Sequence, residues 1–126
     1  MKHIDILIID DEQKFAAMLA KRIELRGCSA KVCYDGKTAL QWLKKHNDHT
    51  TLILLDLQLP DLYGTEVLIR IKRLNPMIPV IILTGHGSKQ DQQECEQLGA
   101  YKFIHKPLNI DELMIILEHI REKIEC

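Results

Sequence analysis

The sequence predicts a doubly wound α/β domain: a five-stranded parallel sheet with helices on both faces. Three observations carry this. Five short aliphatic runs recur along the chain, each apolar on both faces, as strands covered from two sides must be. Segments of helical periodicity separate them in strict alternation, which makes a parallel sheet with crossover helices the economical topology. The chain has 126 residues, 46% of them apolar, enough for one domain with its own core. The single domain is therefore expected to span 1–126.

The first strand is expected at 4–9 (IDILII), and the first helix follows on Phe15, Met18, Leu19 and Ile23. The second strand is 29–34 (SAKVCY). After Asp35-Gly36 a second helix carries Ala39, Leu40 and Leu43. The third strand, 51–55 (TLILL), leads to a helix on Val67, Leu68, Ile71 and Leu74 that Asn75-Pro76 stops. The fourth strand is 79–83 (PVIIL) and the fifth 100–104 (AYKFI). Between them SKQDQQECEQLGA, 88–100, offers only Cys95 and Leu98 as apolar anchors, so its helix is expected to be weakly held. The last helix carries Ile110, Leu113, Met114, Leu117 and Ile124, with Asn109 as its N-cap.

Charge and composition narrow the partners. Seventeen Lys and Arg stand against eighteen Asp and Glu, for a net charge of −1. No basic excess invites nucleic acid or an anionic membrane. No apolar run approaches the roughly 20 residues needed to cross a bilayer, and MKHIDILIID lacks the build of a cleaved signal. The expected location is the cytoplasm. Cys28, Cys33, Cys95 and Cys126 form no metal-binding spacing and read as small apolar residues or incidental thiols.

In such sheets ligands bind outside the carboxyl ends of the strands. After the first strand stand Asp10 and Asp11, with Glu12 next; after the third, Asp56; after the fourth, Thr84; after the fifth, Lys106. The second strand contributes nothing, as suits an edge. Three crowded carboxylates repel one another unless a cation relieves them, and hard oxygen donors suit Mg²⁺. Lys106 is placed to pair with a carboxylate and to meet a phosphoryl group, and a carboxylate so placed is a nucleophile toward phosphorus.

These motifs resemble the receiver domain of two-component response regulators over nearly the whole chain. LIIDDE resembles the acidic-pair motif of the family, and LLDLQLPDLYG its phosphoacceptor motif, with Leu59-Pro60-Asp61 and Gly64 completing the loop. The resemblance implies a flavodoxin-like sheet in the order 2-1-3-4-5 and a phosphoryl group on Asp56. It implies Mg²⁺ or Mn²⁺ held by Asp10, Asp11, Asp56 and the Gln58 carbonyl. Thr84 and Lys106 would assist the transfer, and Thr84 with Phe103 would act as the conformational switch. It also implies a cis Lys106-Pro107 peptide. The donor would be a sensor histidine kinase or a phosphotransfer protein. The output would be a partner or homodimer formed through residues 88–124, where Lys102, Glu118 and Arg121 are candidate charged contributors.

Some positions vary from the usual pattern: Phe103 has no hydroxyl, and Gly85 stands where alanine is commoner. The resemblance also implies that the Gln58 side chain lies near the path of the hydrolytic water, and His86 and His105 flank site residues. The protein is expected to be a signalling switch with self-catalysed phosphoryl transfer and dephosphorylation rather than a conventional enzyme. It is expected to act as a stand-alone receiver or as the receiver piece of a transcriptional regulator, since no output domain follows the last helix; LTGHG is similar to receivers of transcriptional activators. An aspartyl-phosphate phosphohydrolase would need DxDG after the first strand, where DDEQ stands. A flavin carrier would need a Ser/Thr/Gly-rich loop there, and a degenerate receiver would have lost one of the key residues.

Overall fold

The computed structural model describes residues 2–125, so Cys126 lies outside the described residues. Strands β1 (Ile4–Ile9), β2 (Ala30–Cys33), β3 (Thr50–Leu55), β4 (Val80–Thr84) and β5 (Lys102–His105) form one parallel sheet in the order β2-β1-β3-β4-β5. Helices α1 (Gln13–Leu25), α2 (Gly36–His46), α3 (Gly64–Leu74), α4 (Lys89–Gln97) and α5 (Ile110–Glu125) alternate with the strands, and a 3-10 turn (Asn47–His49) precedes β3. The chain reverses direction across the sheet between β1 and β3, which opens a crevice at their carboxyl ends.

The strand sequences explain the two-sided burial. Alternate residues of β1 point to opposite cores: Leu7 and Ile9 join α2, α3 and α4, while Ile6 and Ile8 join α1 and α5. β3 and β4 are buried throughout, β1 over Ile6–Ile9, and β2 and β5 close the edges. β1 has the expected bounds, and those of the other strands shift by one or two residues: Thr84 belongs to β4 and His105 to β5.

Three expected core residues are not core. Met18 is 46% exposed, because α1 buries Ala16, Leu19, Ala20 and Ile23 and this stripe leaves Met18 on the far side. The small alanines, not only the large residues, define the buried face. Leu74 closes α3 and Ile124 lies in the last turn of α5, and both are exposed where the helix ends run out.

Caps fix the helix starts. Asp35 accepts from the Thr38 amide at 2.7 Å, and Asn109 from the Asp111 amide at 2.9 Å. In α4 only Cys95 is buried, and a capping box between Ser88 and Asp91 stabilises its first turn. At the opposite end of the sheet Asp5 accepts from the Ser29 amide and from Arg121 Nη2, both at 2.7 Å, tying α5 and the start of β2 to β1. Arg121, a candidate contributor to the output face, is thus also engaged in holding the fold.

Candidate functional site

Backbone hydrogen bonds bring the strand ends together before any side chain acts. The Asp10 amide donates to Cys33 O at 3.1 Å, the Asp56 amide to Ile9 O at 3.0 Å, and the Lys106 amide to Thr84 O at 3.0 Å. The Lys106-Pro107 peptide is cis. Gly64 packs on the backbone of the phosphoacceptor motif. A Cβ there would meet Leu57 Cα at 2.5 Å and Asp56 O at 2.8 Å, so no larger residue fits. Asp61 turns away to cap α2, accepting from the Gly36 and Lys37 amides at 2.9 and 2.8 Å.

Asp10 and Asp56 are nearly sealed, at 2% and 4% exposure, while Asp11 is exposed. Oxygens of Asp10, Asp11 and Asp56 all lie within 4.8 Å of one another. Lys106 Nζ reaches three carboxylates, Glu12 at 2.7 Å, Asp10 at 2.9 Å and Asp56 at 3.4 Å, and lies 4.4 Å from the Phe15 ring centroid. Burial pushes the Asp10 carboxyl above its ordinary value; Lys106 and the Glu12 amide counteract this, and the charge of Asp56 adds to it. Burial disfavours the Lys106 charge, but hydrogen bonds to Glu12 and Asp10, together with the charges of Asp10 and Asp56, outweigh it and raise its pKa.

Thr84 is fully buried, and its Oγ1 accepts from the His86 amide at 3.3 Å. The Gln58 amide donates to Asp56 Oδ1 at 3.3 Å. The half-buried Phe103 ring lies against Gly87: a Cβ at Gly87 would fall 2.3 Å from Phe103 Cζ and 2.9 Å from Thr84 Cγ2. His86 and His105 are exposed, and His105 Nε2 is hydrogen-bonded to Gly87 O at 3.0 Å.

Two participants escaped sequence reasoning. Glu12 was visible as one more acid in the run, but its partner lies 94 positions away. Gly87 was visible only as a loop glycine, and its role depends on where the Phe103 ring lands.

The donor set fits a hard divalent cation. The cluster is carboxylate oxygen alone, two of its members are buried, and one ammonium cannot neutralise Asp10, Asp11, Glu12 and Asp56 together.

A family model, the response regulator receiver domain, matches residues 6–118. The chain belongs to this family of signalling switches, whose members bind Mg²⁺ at an acidic pocket and receive phosphate from histidine kinases. Among curated relatives, the nitrogen assimilation regulatory protein NtrX of Azorhizobium caulinodans is 36% identical over 118 residues, covering 94% of this chain and 26% of that protein. The chain thus spans about a quarter of the length of such relatives. A CheY-like receiver domain from Methanospirillum hungatei JF-1 superposes with a TM-score of 0.87 at 29% identity, covering 98% of both chains. The beryllofluoride-activated NtrC4 receiver domain dimer gives a TM-score of 0.85 at 28% identity, covering 94% of this chain and 97% of that one.

Proposed function

We propose that this chain accepts a phosphoryl group on Asp56 from the phosphohistidine of a sensor histidine kinase or phosphotransfer protein, and that the modification switches its conformation. The observation that carries this reading is the near-sealed Asp56 carboxylate, with two further aspartates and an ammonium converging on it from other strands. Asp56 attacks phosphorus, the phosphorus–nitrogen bond breaks, and its electron pair returns to the donor imidazole, leaving an acyl phosphate. Asp10, Asp11, Asp56 and the Gln58 carbonyl would hold Mg²⁺ or Mn²⁺, which supplies charge neutralisation at the phosphoryl oxygens. Lys106 leaves its carboxylates to pair with the new anion. The Thr84 hydroxyl, which accepts from the His86 amide in the unmodified protein, moves to donate to a phosphoryl oxygen. That movement vacates space beside Phe103 and couples the site to the β4–α4 loop.

Acetyl phosphate with Mg²⁺ tests this by intact mass: one phosphoryl group is expected on the wild type and none under chelation. An unlabelled wild type overturns the reading. The output is proposed to run through residues 88–124, where α4, β5 and α5 border a groove of about 640 Å³ lined by Gln92, Glu96, Lys102, Phe103 and Ile115. The NtrC4 dimer structure supports phosphorylation-dependent self-association as one form of that output. A second reading, supported by the quarter-length match to NtrX, is that this receiver serves a longer transcriptional regulator. No described helix is long and apolar enough to cross a membrane, and cytoplasmic action is part of the proposal.

A further inference from the structure

Lys106 makes its shortest contact with a residue that the proposed chemistry does not use. Glu12 Oε1 lies 2.7 Å from Nζ, against 2.9 Å for Asp10 and 3.4 Å for Asp56. Glu12 occupies the N-cap position of α1, where a short polar side chain would ordinarily accept a helix amide, yet its side chain makes no capping hydrogen bond. Its carboxylate reaches instead across to the β5–α5 loop. One turn further along α1, the Phe15 ring takes the same ammonium at 4.4 Å from its centroid. Two groups from the start of α1 thus draw Nζ to one side of the pocket, and the longest of its three ion pairs is the one to the phosphoacceptor.

We infer that Glu12, assisted by Phe15, is a positioning residue that holds Lys106 toward α1 in the unmodified protein and so sets how readily the ammonium follows a phosphoryl group arriving on Asp56. The inference rests on the phosphoacceptor reading above. The ammonium must leave the Glu12 carboxylate, at least in part, to pair with the transferring group. Every increment by which Glu12 stabilises the resting position therefore raises the barrier to transfer. The Glu12 side chain is 58% exposed, so the hold is modest and tunable rather than absolute.

The test is a double-substitution cycle with acetyl phosphate at saturating Mg²⁺. Glu12→Gln is expected to raise the limiting phosphorylation rate about two- to fivefold, the scale of a half-exposed ion pair. Glu12→Asp, which keeps the charge but shortens the reach, should fall between the two. In a Lys106→Met background Glu12→Gln should change the rate little, because its effect runs through the ammonium. Phe15→Leu, which alters no charge, should move the rate in the same direction as Glu12→Gln. An unchanged or slower Glu12→Gln overturns the inference, as does an acceleration that persists in the Lys106→Met background, since that would be plain relief of charge repulsion. A second readout needs no phosphorylation. In the unmodified wild type the methylene protons next to Lys106 Nζ should resonate upfield in the Phe15 ring current. Glu12→Gln should relax that shift, and Phe15→Leu should abolish it. If the wild type takes no phosphoryl group but these shifts appear, the functional reading fails and the positioning of Lys106 stands. If the resonances are insensitive to Glu12, the inference fails whatever the labelling shows.

Discussion

Neutralising Asp11 should stabilise the metal-free protein while weakening its hold on Mg²⁺. The Asp11 carboxylate lies within 4.8 Å of both Asp10 and Asp56. At that separation two unit charges repel by about 0.9 kcal/mol in water and by about 3.5 kcal/mol at an effective dielectric near 20. Asp11 is exposed, so the lower figure applies. Two such repulsions, partly cancelled by Lys106, leave about 1 kcal/mol to be recovered by Asp11→Asn. For a domain of this size that is a rise of about 4 °C in melting temperature. Mg²⁺ reverses the order. At about a hundredfold excess over its dissociation constant the ion stabilises the wild type by about 2.7 kcal/mol, and a variant that binds it more weakly gains less. Calorimetric melts with chelator and with excess Mg²⁺ read both effects. An Asp11→Asn protein that melts below the wild type in chelator, or gains as much from Mg²⁺, would refute the reasoning.

Gly87→Ala should displace the Phe103 ring, whose Cζ would lie 2.3 Å from the new Cβ, at a cost of about 1 kcal/mol; unchanged Phe103 ring resonances would contradict it. Arg121→Met should cost roughly 0.5–1 kcal/mol near neutral pH, where the Asp5 pair is intact. Burial raises the Asp5 carboxyl, but the Ser29 amide and Arg121 outweigh it and hold it below the ordinary 3.8, so this stability is present above that value and lost as pH falls through the depressed one. Acid melts of the two proteins should therefore converge, and a gap that widens in acid would refute the assignment. Beryllofluoride with Mg²⁺ should change amide exchange across residues 86–104, since α4 buries only Cys95 within its span; identical exchange at full occupancy would place the switch elsewhere.

The strand alternation made the sheet legible, because runs such as LILL in β3 admit no solvent-facing side and so demand layers on both faces. The site was legible for the same reason. Once five strands are parallel, whatever follows each one lies at a common edge, and Asp10, Asp56 and Lys106 then meet without further information. Packing details were less legible. The spacing of large apolar residues points Met18 into the core, whereas the close approach of α1 to the sheet buries Ala16 and Ala20 instead. Arg121 looked like a surface charge because its partner, Asp5, lies at the far end of the chain. Glu12 and Gly87 acquire their roles only from side chains that arrive from β5 and the loop after it, and no local pattern encodes such meetings.

The central claim is that the convergence of strand ends makes Asp56, and no neighbouring acid, the phosphoacceptor. Borohydride reduces an aspartyl phosphate to homoserine, so treating the acetyl-phosphate-labelled protein and mapping its peptides reports the modified position directly. The account predicts homoserine at position 56 in the wild type and none at any position in Asp56→Asn. Homoserine at Asp10, Asp11 or Asp61 in the wild type, or undiminished labelling of Asp56→Asn, would contradict it.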